Sequence, residues 1–155
     1  MKKFRFLLIF FFLTSCGYTP LFEKSTEYNF GVGEIELIGE KKINRELKQL
    51  LESFKNNDST NIINLKITST KSTRVITKDK KGNPSSFKTN INISCVIIDN
   101  STMKETNKVF ERKASYNFLK NQFETDLYKS NLERNILTQL KNDLIVYLNL
   151  LNNDL

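Results

Sequence analysis

Histidine and tryptophan are absent from the 155 residues, and cysteine and proline occur only twice each. Without histidine the chain lacks the usual general base near neutral pH and the commonest metal ligand. It also carries no nucleophile motif, no glycine-rich phosphate loop and no paired metal-ligand spacing. Catalysis is therefore not expected, nor is a metal or a diffusible cofactor. Long apolar runs are missing as well. The longest, Phe6 to Leu13, falls well short of the ~20 residues that cross the hydrocarbon of a bilayer.

That short run is nevertheless placed with purpose. It follows the basic start Met1-Lys2-Lys3-Phe4-Arg5 and leads into Leu13-Thr14-Ser15-Cys16. A basic end, a short apolar segment and two small residues make a signal peptide, predicted to cover residues 1–15. The tetrad ending in Cys16 resembles a lipobox, which implies a diacylglycerol on the cysteine sulfur and an N-acyl group on the new amino terminus. Two or three acyl chains anchor firmly where one binds only marginally. Gly17, rather than Asp, stands after the cysteine. By the sorting rule of double-membrane bacteria, that implies the periplasmic side of the outer membrane.

Loss of the leader leaves 140 residues, enough for one domain. It also removes Lys2, Lys3 and Arg5, which lowers the net charge from +7 to +4. What remains is lysine scattered among asparagine and isoleucine, and nucleic acid is not an expected partner. With Cys16 lipidated, Cys95 has no partner for an intramolecular disulfide.

Residues 16–31 contain a proline, two glycines and no period, and read as a tether ahead of a domain over 32–155. Gly33 to Ile38 alternates as a short strand ended by Gly39. Ile43, Leu47, Leu50, Leu51 and Phe54 share one stripe of a helix predicted over Lys42–Lys55, stopped by Asn56-Asn57-Asp58-Ser59. From Ile63 the period becomes two, and a strand runs through Thr77 to a turn at Lys80–Pro84. Phe87 to Ile97 alternates again, so the pair forms a long hairpin. Beyond a turn at Asp99–Thr102 lies a strand from Lys108 to Phe118, with Phe110, Ala114, Tyr116 and Phe118 on the core side. Cys95, in parity with Ile93 and Ile97, is also a core residue. A last helix, Thr125 to Leu151, carries the stripe Leu132, Ile136, Leu140, Leu144, Tyr147 and Leu151. The order β-α-β-β-β-α, with single apolar faces throughout, predicts an α+β two-layer sandwich. Its small four-stranded sheet would carry both helices on one face and leave the other face polar.

Together with the lipobox and this element order, Cys16-Gly17-Tyr18-Thr19-Pro20-Leu21-Phe22 resembles the lipopolysaccharide (LPS)-assembly lipoprotein family (LptE). Ser115-Tyr116-Asn117 at the end of the last strand agrees with the family pattern, as do Asn131-Leu132-Glu133-Arg134 and Leu140 to Ile145 in the final helix. Two departures stand out. Ser86-Phe87-Lys88 replaces a Thr-Arg pair, keeping a positive charge at Lys88. Thr102-Met103 replaces Thr-Gly in a turn where glycine would permit φ > 0 and methionine would not do so easily. The resemblance implies a lipid-anchored plug within an outer-membrane β-barrel, the LPS translocon, which it would help to assemble. LPS and the barrel protein are the implied partners.

Apart from the lipidation site Cys16, the candidate contact residues are Lys78, Lys80 and Lys81 at the hairpin tip, with Arg74 and Lys88 on the flanking strands. They could meet the phosphates of LPS, contact the barrel wall or simply be solvated. A free-standing periplasmic lipoprotein that binds or chaperones an envelope lipid remains the alternative to a translocon subunit.

Overall fold

The computed structural model describes residues 30–55 and 61–153. The leader, Cys16, most of the tether and the stop at Asn56–Ser59 lie outside them. Four strands and two helices follow in the order expected: β1 Phe30–Gly39, α1 Lys41–Glu52, β2 Asn61–Lys78, β3 Pro84–Asp99, β4 Glu105–Asn117 and α2 Gln122–Asn153. The strands form one sheet in the order β1-β2-β3-β4. β1 lies parallel to β2, with α1 as the crossover, and the other two pairings are antiparallel.

One face of the sheet is apolar. Ile63, Leu65 and Ile67 of β2, Ile91, Ile93, Cys95 and Ile97 of β3, and Phe110 of β4 form a single buried cluster with Leu47 and Leu51 of α1 and Leu140 and Leu144 of α2. Both helices therefore pack on the same side. Cys95 is fully buried, as its parity requires. Ion pairs between Lys141 and Glu46 (3.2 Å) and between Arg112 and Asp143 (2.7 Å) tie α1 to α2 and β4 to α2 at the margins of this core.

Several boundaries differ from the sequence reading, each for a local reason. β1 begins at Phe30, inside the stretch assigned to the tether, because Phe30 is buried and stacks on Phe54 at 5.7 Å. Its alternation is hidden by a register shift between Val32 and Ile35, which brings Phe30, Val32, Ile35 and Leu37 to the same face despite an odd spacing. At the shift, the Glu34 N–H donates to Asn64 Oδ1. α1 ends at Glu52, and Phe54 lies just beyond it, where its carbonyl accepts from Val32 N–H. α2 starts three residues early because Asn121 caps it: Asn121 Oδ1 accepts from Glu124 N–H at 2.8 Å. Its buried stripe includes Leu137 and Leu148, which the sequence reading passed over, while Leu132, Tyr147 and Leu151 are only partly buried. Phe118 is a correction. It falls past the end of β4 and is 42% exposed, not core, whereas Tyr116 is buried.

Two tight corners fix the strand connections. Between β1 and α1, Gly39 adopts φ +108°, and a Cβ there would lie 2.0 Å from the Ser69 carbonyl oxygen. Ser69 is buried and its hydroxyl donates to Asn44 Oδ1 (2.6 Å) and accepts from Glu40 N–H (3.0 Å), so β2 holds the start of α1 in place. Between β3 and β4, the Asp99 carboxylate accepts from Ser101 N–H, from the Ser101 hydroxyl and from the Thr102 hydroxyl. Met103, next in this turn, sits at φ 55°. The backbone keeps the left-handed conformation that glycine would favour, with methionine occupying it.

Candidate functional site

The second face of the sheet carries no helix. On β2 it presents Asn64, Lys66, Thr68, Thr70, Ser72 and Arg74, which alternate with the core residues. At the end nearer the hairpin tip, Arg74 pairs across the ladder with Lys88, and Asn90 pairs with Lys113. With Ser72 these four line a depression of about 220 Å³. Arg74 and Lys113 are exposed and Lys88 is half-buried. Lys113 pairs with Glu111 at 2.9 Å, and Glu111 also accepts from Asn90 Nδ2. The Lys113 ammonium group, followed by Asn90, holds the Glu111 carboxyl below its ordinary range. Arg74 and Lys88 form no ion pair among the described residues. A guanidinium fork and an ammonium point charge over an open hollow can receive a phosphate or carboxylate.

The tip itself is a built turn. Asp79 Oδ1 accepts from the N–H groups of Lys81 and Asn83, both at 2.8 Å, and its Oδ2 accepts from Asn83 Nδ2. These bonds, led by the Asn83 N–H, lower the Asp79 pKa. Gly82 completes the turn at φ +86°. The carboxylate is thus directed at its own loop, and Lys78, Lys80 and Lys81 project from a fixed frame.

The five predicted cations fall into two groups. Arg74 and Lys88 come together on the bare sheet face; Lys78, Lys80 and Lys81 share the tip. Sequence reading missed Lys113. It lies on the polar parity of β4, but only the order β2-β3-β4 puts it beside Asn90. Cys16 lies outside the described residues. Among the described residues no group of carboxylates and cysteines could hold a metal ion, and no helix is long and apolar enough to cross a membrane.

This α+β sandwich recurs in solved proteins. The chain is similar to the rare lipoprotein B of Shewanella oneidensis, with a TM-score of 0.58 and 11% identity over 79% of this chain and 98% of that one. It is also similar to a minor lipoprotein of Acinetobacter baumannii, with a TM-score of 0.54 and 12% identity over 81% and 96% of the two chains. No family model matches the chain, and no curated protein does. At such identities the likeness is one of fold.

Proposed function

We propose that this protein is an outer-membrane lipoprotein subunit of the LPS translocon, a plug that helps assemble the barrel through which LPS reaches the cell surface. The helix-free sheet face, polar along most of β2 and with Arg74 and Lys88 in no ion pair among the described residues, carries the reading, because it suits the wet, polar interior of a large barrel. The lipobox at Cys16, with its implied diacylglycerol and N-acyl groups, and the fold shared with lipoproteins support an envelope location. β2 spans 18 residues, about 60 Å at roughly 3.3 Å each, so within a barrel whose apolar band is about 25 Å tall it would reach well beyond that band. The Arg74–Lys88–Lys113 hollow would then face the phosphates of passing LPS, with no chemistry performed on them.

Purification of the tagged chain from native membranes tests this. The expected result is co-purification of an outer-membrane barrel protein and loss of surface LPS on depletion. Isolation of the chain alone, with normal export, overturns it. A stable barrel-free form that binds LPS would instead favour the free-standing lipid-binding lipoprotein, a reading to which the same hollow also lends support.

A further inference from the structure

Near the hairpin tip the sheet extends beyond the cover of its helices. Phe87 stacks on Tyr116 at 5.2 Å, and Tyr116 approaches Tyr128 of α2 at 6.3 Å. Past the end of β4, Phe118 N–H donates to the Ser85 carbonyl. Between the tip and the start of α2 this leaves an open cavity of about 540 Å³, with Pro84, Phe87 and Phe118 among its walls and Asp79 and Asn83 at its polar end. That volume is within the ~300–1,000 Å³ typical of small-ligand sites. The adjoining stretch leaves Phe118, Leu119, Phe123, Leu127 and Tyr128 exposed, more apolar surface than a solvated helix start requires.

Asp79 is the one charged residue among the described residues that line the cavity, and three lysines stand in and beside the turn that forms that wall. Lys78 is the ladder partner of Pro84, and Lys80 and Lys81 stand in the turn that Asp79 closes. None of the three forms an ion pair among the described residues, and Asp79 is engaged by its own turn. A second copy would bring the same three lysines against these, which is repulsive. An added peptide strand could pair only along the outer edge of β4 or of β2 beyond Ser69, because the Ser85 and Ser86 backbone that walls the cavity already pairs with Phe118 and Asn117. An apolar trough beside cations suits an amphiphile with an anionic head. At about 30 Å³ for a group of water size, the space holds on the order of fifteen to twenty methylenes, which is one chain and not several.

We propose that this cavity holds one acyl chain of an anionic phospholipid, its phosphate lying on the lysines of the tip. The site is separate from the Arg74–Lys88 hollow and does not depend on the translocon reading.

Cells expressing the full chain are fed a diazirine-bearing fatty acid and irradiated, and adducts on the purified protein are mapped by mass spectrometry. Adducts are expected within residues 79–87 and 118–122, with the mass of an anionic phospholipid. Their yield should drop roughly tenfold or more in the Lys80→Ala, Lys81→Ala double variant, since each charge near a lipid head contributes about a factor of five. Asp79, Gly82 and Asn83 remain to hold the turn, and an unchanged melting temperature checks the fold. Absence of adducts in those segments overturns the proposal. So does a trapped zwitterionic lipid, an LPS molecule, another protein or the acyl groups of the chain's own Cys16. An undiminished yield in a folded double variant removes the role of the lysines and overturns it too.

Discussion

Replacing Gly39 with alanine tests the corner that joins β1 to α1. Two costs arise. At φ +108° an L-residue is strained by roughly 1–2 kcal/mol. In addition, the new Cβ would lie 2.0 Å from the Ser69 carbonyl oxygen, which is backbone in the middle of β2 and cannot swing aside. Moving Ser69 would loosen its hydrogen bonds to Glu40 and Asn44, each worth about 1 kcal/mol net. Gly39→Ala should therefore cost about 3–5 kcal/mol, a large share of the ~5–15 kcal/mol that holds a domain together. Gly82→Ala supplies the control. Gly82 has φ +86°, but nothing lies within 4 Å of its would-be Cβ, so only the backbone term remains, about 1–2 kcal/mol. Urea unfolding followed by far-ultraviolet circular dichroism gives both values on one scale. Equal losses in the two variants would refute the close approach at Ser69.

Met103→Gly should stabilise the chain by up to about 1 kcal/mol, the relief of the left-handed methionine less the entropy cost of glycine, and an unchanged or lower urea midpoint would contradict this. The hydroxyls of Ser101 and Thr102 hold the Asp99 carboxyl down to about pKa 2, from an ordinary value of 3.8. Because the folded value is the lower one, its contribution is complete above about pH 4 and is lost as pH falls toward 2. Asp99→Asn should thus be less stable at pH 7 and show a shallower loss of stability between pH 4 and 2, which melting curves across that range would reveal. Burial pushes the Cys95 thiol up to about 12, so a disulfide reagent at pH 8 should modify it only in denaturant. Rapid labelling of the native protein would show that β3 opens readily.

Element types were legible because each strand or helix buries a single face. Ile63 to Ile67 and Ile91 to Ile97 alternate without interruption, and so announce themselves as half-buried strands. β1 was clipped because its register shift at Gly33 and Glu34 breaks the period where Phe30 and Val32 join the core. Phe118 was misread for the opposite reason: parity continued in the sequence after the ladder had stopped at Asn117. For the cations, the sequence reading grouped Arg74 and Lys88 with the tip because all five are near one turn along the chain. Pleating separates them, placing Arg74 and Lys88 on the bare face. Lys113 needed the strand order, a long-range fact that no local pattern encodes.

The parallel alignment of β1 and β2 has a mechanical consequence. Both strands start at the same edge of the molecule, with Phe30 opposite Asn61, and β2 runs on to the tip. A pull between the polypeptide ahead of Phe30 and that tip therefore drags the two strands past one another lengthwise. Their inter-strand bonds must then yield together, not unzip in turn, and the Phe30 ring must leave its stack with Phe54 at the same moment. The domain is thus strongest along the axis that runs from Phe30 to the tip of the hairpin.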